Sequence, residues 1–163
     1  MALFGESRDI SFIHKINEEL LNNVIEQEID FYEIHIPDSK ANLYGESTNK
    51  VYYAPVRLTC LIERGDQNVS ADAPFGLDAI QAHTFRFLRK KLVEVNLIPQ
   101  IGDIIESRGN YYEITNTNEN QFFVGMDDNY PKTPGNEFGT SLSIICNTHL
   151  ARVNRLQIIK SRL

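Results

Sequence analysis

Tryptophan is absent from this 163-residue chain, and cysteine and methionine occur twice each. Two cysteines cannot build a disulfide framework. Cys60 and Cys146 both sit in apolar, strand-like runs, so they are expected to be buried thiols of a reduced compartment. CxxC pairs and Cys/His clusters are missing, which argues against a structural zinc site. His14, His35, His83 and His149 are scattered without HxxxH or HExxH spacing, so each is expected to be structural or superficial. No apolar run approaches the roughly 18–20 residues of a membrane span, and no membrane contact is expected. The opening MALFGESRDI carries acids early and no long apolar stretch, and is expected not to act as a secretory signal.

Catalytic signatures are missing too. No GxSxG nucleophile turn occurs. GESTNK (Gly45–Lys50) has Asn49 where a phosphate loop needs its second glycine. MDDN (Met126–Asn129) lacks the alternating ligands and terminal Glu of a calcium loop. RGD at Arg64–Asp66 reads as a chance tripeptide. Basic residues are also scarce, 16 Lys and Arg against 22 Asp and Glu, a net charge of −6. That is the wrong footprint for tight, sequence-specific DNA binding.

What is present is an ordinary globular composition, 42% apolar and 23% charged, on a chain long enough for one domain with a real core. The charge is uneven. Residues 1–82 hold 14 acids against 6 bases, whereas residues 83–163 hold 8 against 10. Arg86, Arg89, Lys90 and Lys91 form a basic cluster, and Arg152, Arg155, Lys160 and Arg162 a tail without acids. An acidic and a basic face would suit stacking of subunits.

Ile13, Ile16, Leu20 and Val24 recur at helical spacing, with Phe12, Leu21 and Ile25 widening the stripe. They predict one amphipathic helix over about Ser11–Glu26, capped by Ser7, Asp9 or Ser11. Its apolar stripe could pack on its own domain or on a neighbour. Beyond it the period becomes two. Strands are expected in 30–37, within 51–63, from 82 into a helical turn at 89–96, in the hairpin after Gly102, at 121–126 and within 140–159. Segments 38–50, 64–79 and 127–139 read as long polar loops, and 115–120 as a shorter one. Strands without intervening helices disfavour a parallel sheet. The fold class is therefore mainly β: a small antiparallel β-barrel or sandwich from Asp30 to Ile159 with an N-terminal amphipathic helix and long loops, as a single domain over residues 1–163.

The stretch GDIIESRGNYYEI (Gly102–Ile114) holds three carboxylates, Asp103, Glu106 and Glu113, inside a strand–turn–strand pattern. Gly109 and Asn110 can take the positive φ of a tight turn. Nothing in the pattern orients Asp103 toward a nucleophile or a partner acid, and Glu106 and Glu113 fit a solvent-facing side. The stretch reads as scaffold, with Asp103→Asn tolerated unless the side chain caps the hairpin. No catalytic residue, cofactor or metal is expected.

Three blocks carry a family resemblance: NLYGESTNKVYYAPVRLTCLIE (Asn42–Glu63), FRFLRKKLVEVNLIPQIGDII (Phe85–Ile105) and the hairpin within LIPQIGDIIESRGNYYEITNTNENQFF (Leu97–Phe123). Together they resemble the neck and head-closure proteins of T-even-like contractile-tailed phages (myophages). The resemblance implies a virion structural protein, assembled in the host cytoplasm. It would form a ring, as a hexamer, that closes the DNA-filled head and joins it to the tail. Its partners would be further copies of itself, the portal–adaptor assembly or another neck protein, the tail terminator or tail tube, and packaged DNA passing non-specifically through the channel. A tail terminator or completion protein is the nearest alternative. Outside phages, a small-barrel ligand-binding module is the other. For the ring, the expected interface residues are Leu43, Tyr44, Phe75, Tyr130 and Phe138 on the loops, with Arg86, Arg89, Lys90, Lys91, Arg152 and Arg155. Aromatics on loops are costly to expose and are enriched at interface cores.

Overall fold

The computed structural model describes residues 7–41, 47–70, 78–119, 142–151 and 156. The alternation expected to make a strand of 30–37 does so only to Tyr32; Ile34 forms an isolated bridge with Tyr52, and Ile36–Asp38, with its proline, is a 3-10 turn. The strands are β1 (Glu28–Tyr32), β2 (Lys40–Ala41), β3 (Ser47–Asn49), β4 (Val56–Thr59), β5 (Leu61–Ser70), β6 (Asp78–Leu88), β7 (Ile104–Ser107), β8 (Asn110–Asn118) and β9 (Ser143–Leu150). Seven of them make one sheet in the order β4-β1-β7-β8-β9-β6-β5, antiparallel at every pairing. β2 and β3 pair separately. The fold is mainly β, a curled antiparallel half-barrel with a short N-terminal helix.

The curl follows from connectivity. β4 and β5 occupy opposite edges of the sheet, yet only Cys60 separates them in the chain. The two edges must therefore meet at Cys60, which is fully buried. Its N–H donates to the Gln27 carbonyl at 3.0 Å, continuing the β1–β4 ladder past Thr59. Inside the curl lie Ile29, Phe31, Leu58, Phe85, Phe87, Ile105, Tyr112, Ile114, Ile144 and Cys146. Phe31 meets Phe87 edge-on at 6.3 Å, and Phe85 leans on Tyr112 at 5.6 Å. Burial pushes the Cys60 and Cys146 thiols up to about 12 each.

A second apolar layer covers part of the outer face: Tyr32, Ile104, Tyr111 and Ala151, with Tyr52 and Leu156 against them. Strands β1, β7 and β8 are thus covered on both sides. This is why Ile104-Ile105 and Tyr111-Tyr112 are consecutive apolar pairs rather than clean alternation.

Several boundaries differ from the sequence reading. The helix begins at Ser7, so Asp9 and Ser11 lie inside α1 (Ser7–Glu19) instead of capping it. Ser11 Oγ donates back to the Arg8 carbonyl at 2.8 Å. Leu20–Ile25 widens into a π-helical turn, which ends where Glu26 turns left-handed at φ 48°. The expected loop 64–79 is mostly strand: β5 runs on to Ser70 and β6 begins at Asp78, paired beyond an irregularity between Arg64 and Gln67. Gly65 sits at that irregularity, where a Cβ would come within 2.7 Å of the Ala82 carbonyl oxygen. Residues 115–118 belong to β8, and the span 38–50 contains β2 and β3. At 115–118 the polar residues are paired in β8, with Thr115, Asn116 and Asn118 exposed. The hairpin turn is Arg108-Gly109 (φ 53° and 80°), one residue earlier than expected, as the Ser107–Asn110 pairing requires. The second helix, α2, spans Arg89–Glu94. The expected strand 121–126 and loop 127–139 lie outside the described residues.

Phe85 is fully buried between Phe87, Tyr112 and Cys146 in the core cluster. Phe85→Ala is expected to cost about 3–5 kcal/mol, read as a lower urea midpoint. An unchanged midpoint would remove Phe85 from the core.

Candidate interaction surfaces

The hairpin carboxylates are structural, and all three are engaged. Asp103 is fully buried. Its Oδ1 accepts the Ile34 N–H at 2.9 Å and its Oδ2 the Gln100 N–H at 2.8 Å. It therefore staples the segment after β1 to the turn before β7, and neither bond reaches the Ser107–Asn110 end of the hairpin. Burial holds its carboxyl above the usual carboxylate range, against the pull of the two amide donors. Glu106 and Glu113 do not simply face solvent. Glu106 accepts from the Tyr32 hydroxyl at 2.9 Å. Glu113 is half-buried in an ion pair with Lys50. Beside that pair, the Tyr52 hydroxyl is buried without a hydrogen-bond partner among the described residues, and burial raises its pKa, with Glu113 adding to the effect. Among the described residues, no three His, Cys, Asp or Glu side chains gather to hold a metal ion.

A polar cleft on the outer face is lined by Glu28, Asp30, Arg57, Glu106 and Arg108. Arg57 Nε donates to Asp30 Oδ1 at 3.0 Å across the β1–β4 pair. The cleft is charged, whereas the ligand-module reading calls for an apolar one.

The basic cluster is not one open patch. Arg86 lies on the outer face of β6 and bonds Glu63 at 2.9 Å. Lys90 and Lys91 reach Glu18 on α1 at 3.2 and 3.0 Å, with Glu94 beside both. Arg89 is half-buried, its N–H donating to the Leu142 carbonyl at 3.1 Å. These cations tie α2 and β6 to their own domain. Leu43, Tyr44, Phe75, Tyr130, Phe138, Arg152 and Arg155 lie outside the described residues. Hairpin β2–β3 brackets 42–46, and β5–β6 brackets 71–77.

The surface that sequence reasoning left undecided is on α1. Leu21 is buried, and the Asn22 side-chain carbonyl accepts the Thr59 hydroxyl at 2.8 Å, which docks the π-helical turn on β4. Phe12, Ile16, Leu20 and Val24, however, form a four-residue line that is 63, 46, 45 and 72% exposed. The signal was there in the width of the stripe. Apolar residues at 12, 13, 16, 20, 21, 24 and 25 span more of the helix than one contact can cover. A second set, Val93, Val95, Ile98 and Ile101, is exposed to 69, 43, 66 and 67%, while Leu92 just before it and Leu97 within it are buried. Isolated exposed apolar residues are ordinary, but grouped ones mark contact sites.

Two consequences can be measured. In Asp103→Asn an amide NH2 must face one of two backbone donors, so a loss of about 1–3 kcal/mol is expected in chemical denaturation. Unchanged stability would show that both donors find other partners. His83 is buried between Phe85 and Tyr112, and burial, then Arg64, depress its pKa. The unfolded chain thus binds the proton more readily. Stability should hold above about pH 6.5 and fall as pH drops through the depressed folded value. His83→Gln should flatten that slope, and an equally steep fall in the variant would assign it to other groups.

No family model matches the chain, and no curated protein does.

Proposed function

We propose that this chain is a structural subunit of the neck of a contractile-tailed phage, forming a ring that closes the filled head and joins it to the tail. The observation that carries this reading is the uncovered line Phe12–Ile16–Leu20–Val24 on a helix anchored to a β body. A helix so placed leaves apolar surface that another molecule has to cover. The three blocks between Asn42 and Phe123 that resemble neck proteins support a neck assembly as the setting, with six copies in the ring. A curled sheet with a double apolar layer is a stiff scaffold for such a ring. Its hairpins β2–β3 and β5–β6 carry the segments with Leu43, Tyr44 and Phe75.

The test is deletion of this chain from the phage that encodes it, with electron microscopy of the lysate. Separate tails and heads that are untailed or emptied of DNA are expected, with joining restored by the wild-type chain supplied in trans. Tyr44→Ala with Phe75→Ala should leave the barrel folded and still impair joining. Tailed particles at normal yield after deletion would refute the reading.

A further inference from the structure

Two apolar surfaces on one chain raise the question of whether each meets its own kind or the other. Along α1 the line advances by about 40° for every four residues, at 3.6 residues per turn, before it passes into the wider π-helical turn at Leu20. Glu18, two residues from both Ile16 and Leu20, lies about half a turn from each. Glu18 is the residue that bonds Lys90 and Lys91 of α2. The stripe therefore faces away from α2, while the second set starts on α2 at Val93 and continues to Ile101. A stripe that meets its own kind across a two-fold axis leaves the second set open. A contact between unlike surfaces covers both by repetition.

We infer that the α1 stripe of one copy seats on the Val93–Ile101 surface of the next copy, so that subunits join head to tail. This deepens the ring reading above and rests on it for the closed form.

The areas support a second copy as the occupant. Each set presents about 400 Å² of apolar surface, four large side chains roughly half or more exposed. Joining one of each covers about 800 Å² of apolar area. With apolar atoms a little over half of an ordinary interface, the whole contact comes to about 1,400 Å², inside the standard range for specific association. A stripe that met only its own copy would leave Val93, Val95, Ile98 and Ile101 open.

The test uses two double variants of the full chain: Phe12→Asp with Val24→Asp, and Ile98→Asp with Ile101→Asp. All four positions are exposed, so native circular dichroism and thermal midpoint should be kept. By sedimentation equilibrium, the wild-type chain is expected to form assemblies larger than dimers, and each variant alone a monomer. An equimolar mixture should give a one-to-one heterodimer and nothing larger, because each variant keeps the surface that the other has lost. A dimer that persists in Ile98→Asp/Ile101→Asp would show stripe meeting stripe and overturn the inference. So would a wild-type chain that stays monomeric at high concentration, or variants that assemble like wild type.

A second measurement does not depend on tolerance of charge. Val24→Cys and Ile98→Cys copies are mixed with a short bis-maleimide. The buried native thiols, raised to about 12, should be spared. Cross-links between unlike copies should dominate, and Val24→Cys homodimers as the main product would overturn the pairing. A chain that assembles as inferred but whose deletion leaves tailed particles intact would refute the neck reading and keep this one.

Discussion

One strand shared between two edges holds this molecule together. Because Cys60 alone joins β4 to β5, the sheet cannot open without pulling a continuous chain away from β1 or from β6. An open antiparallel sheet of seven strands would expose two edges and one whole face. The shared strand curls the face inward and brings the edges together, which limits the unpaired backbone that makes edges sticky. The residue at the bend has to be small, apolar and compatible with full burial. A free cysteine meets those needs without chemistry, since its thiol is held protonated well above neutral pH.

The outer face solves a second problem. Where β1, β7 and β8 lie together, Tyr32, Ile104 and Tyr111 form an apolar layer, and polar groups stand at its margin. Three of these groups have specific partners, Tyr32 with Glu106, Lys50 with Glu113, and Asp103 with two backbone amides, while the Tyr52 hydroxyl has none among the described residues. Asp103 matters most, because buried carboxylates are tolerated only when hydrogen-bonded. It converts the segment after β1, which has left regular pairing, into a fixed strap. A residue type that looks catalytic in a sequence is here the means of holding an irregular backbone in place.

The helix α1 has two faces with opposite fates. Glu18 of α1 and Asn22 of the π-helical turn fasten it to α2 and β4 with Leu21 buried, while Phe12, Ile16, Leu20 and Val24 are exposed. A helix held this way is a rigid presenter of apolar surface and loses little conformational freedom when a partner arrives. The cations of α2 contribute to that rigidity. Their charge is spent within the subunit, so the contact surface next to them is apolar and not basic.

How much of this was legible in the sequence depends on the range of the interaction. Period-two alternation, one 3.6-period segment and a chain reversal around Gly109 are local patterns. They determined the mainly β class, the antiparallel sense, the single long helix and the hairpin. Compositional loop signals misled where polar residues are paired in strands, as at 64–70 and at 115–118. There the pairing partner, distant in sequence, decides between strand and loop. The strand order, with β4 and β5 at opposite edges, was beyond local reading, because it depends on which edges meet in space. The same holds for Arg86, Lys90 and Lys91. They form a cluster in sequence, but Glu63 and Glu18 reach them only through the fold. The α1 stripe shows the division most clearly. The sequence determined that apolar residues outnumber what one helical contact can bury. Only tertiary packing decided which of them, by docking Leu21 against the sheet and leaving Phe12 and Val24 outside.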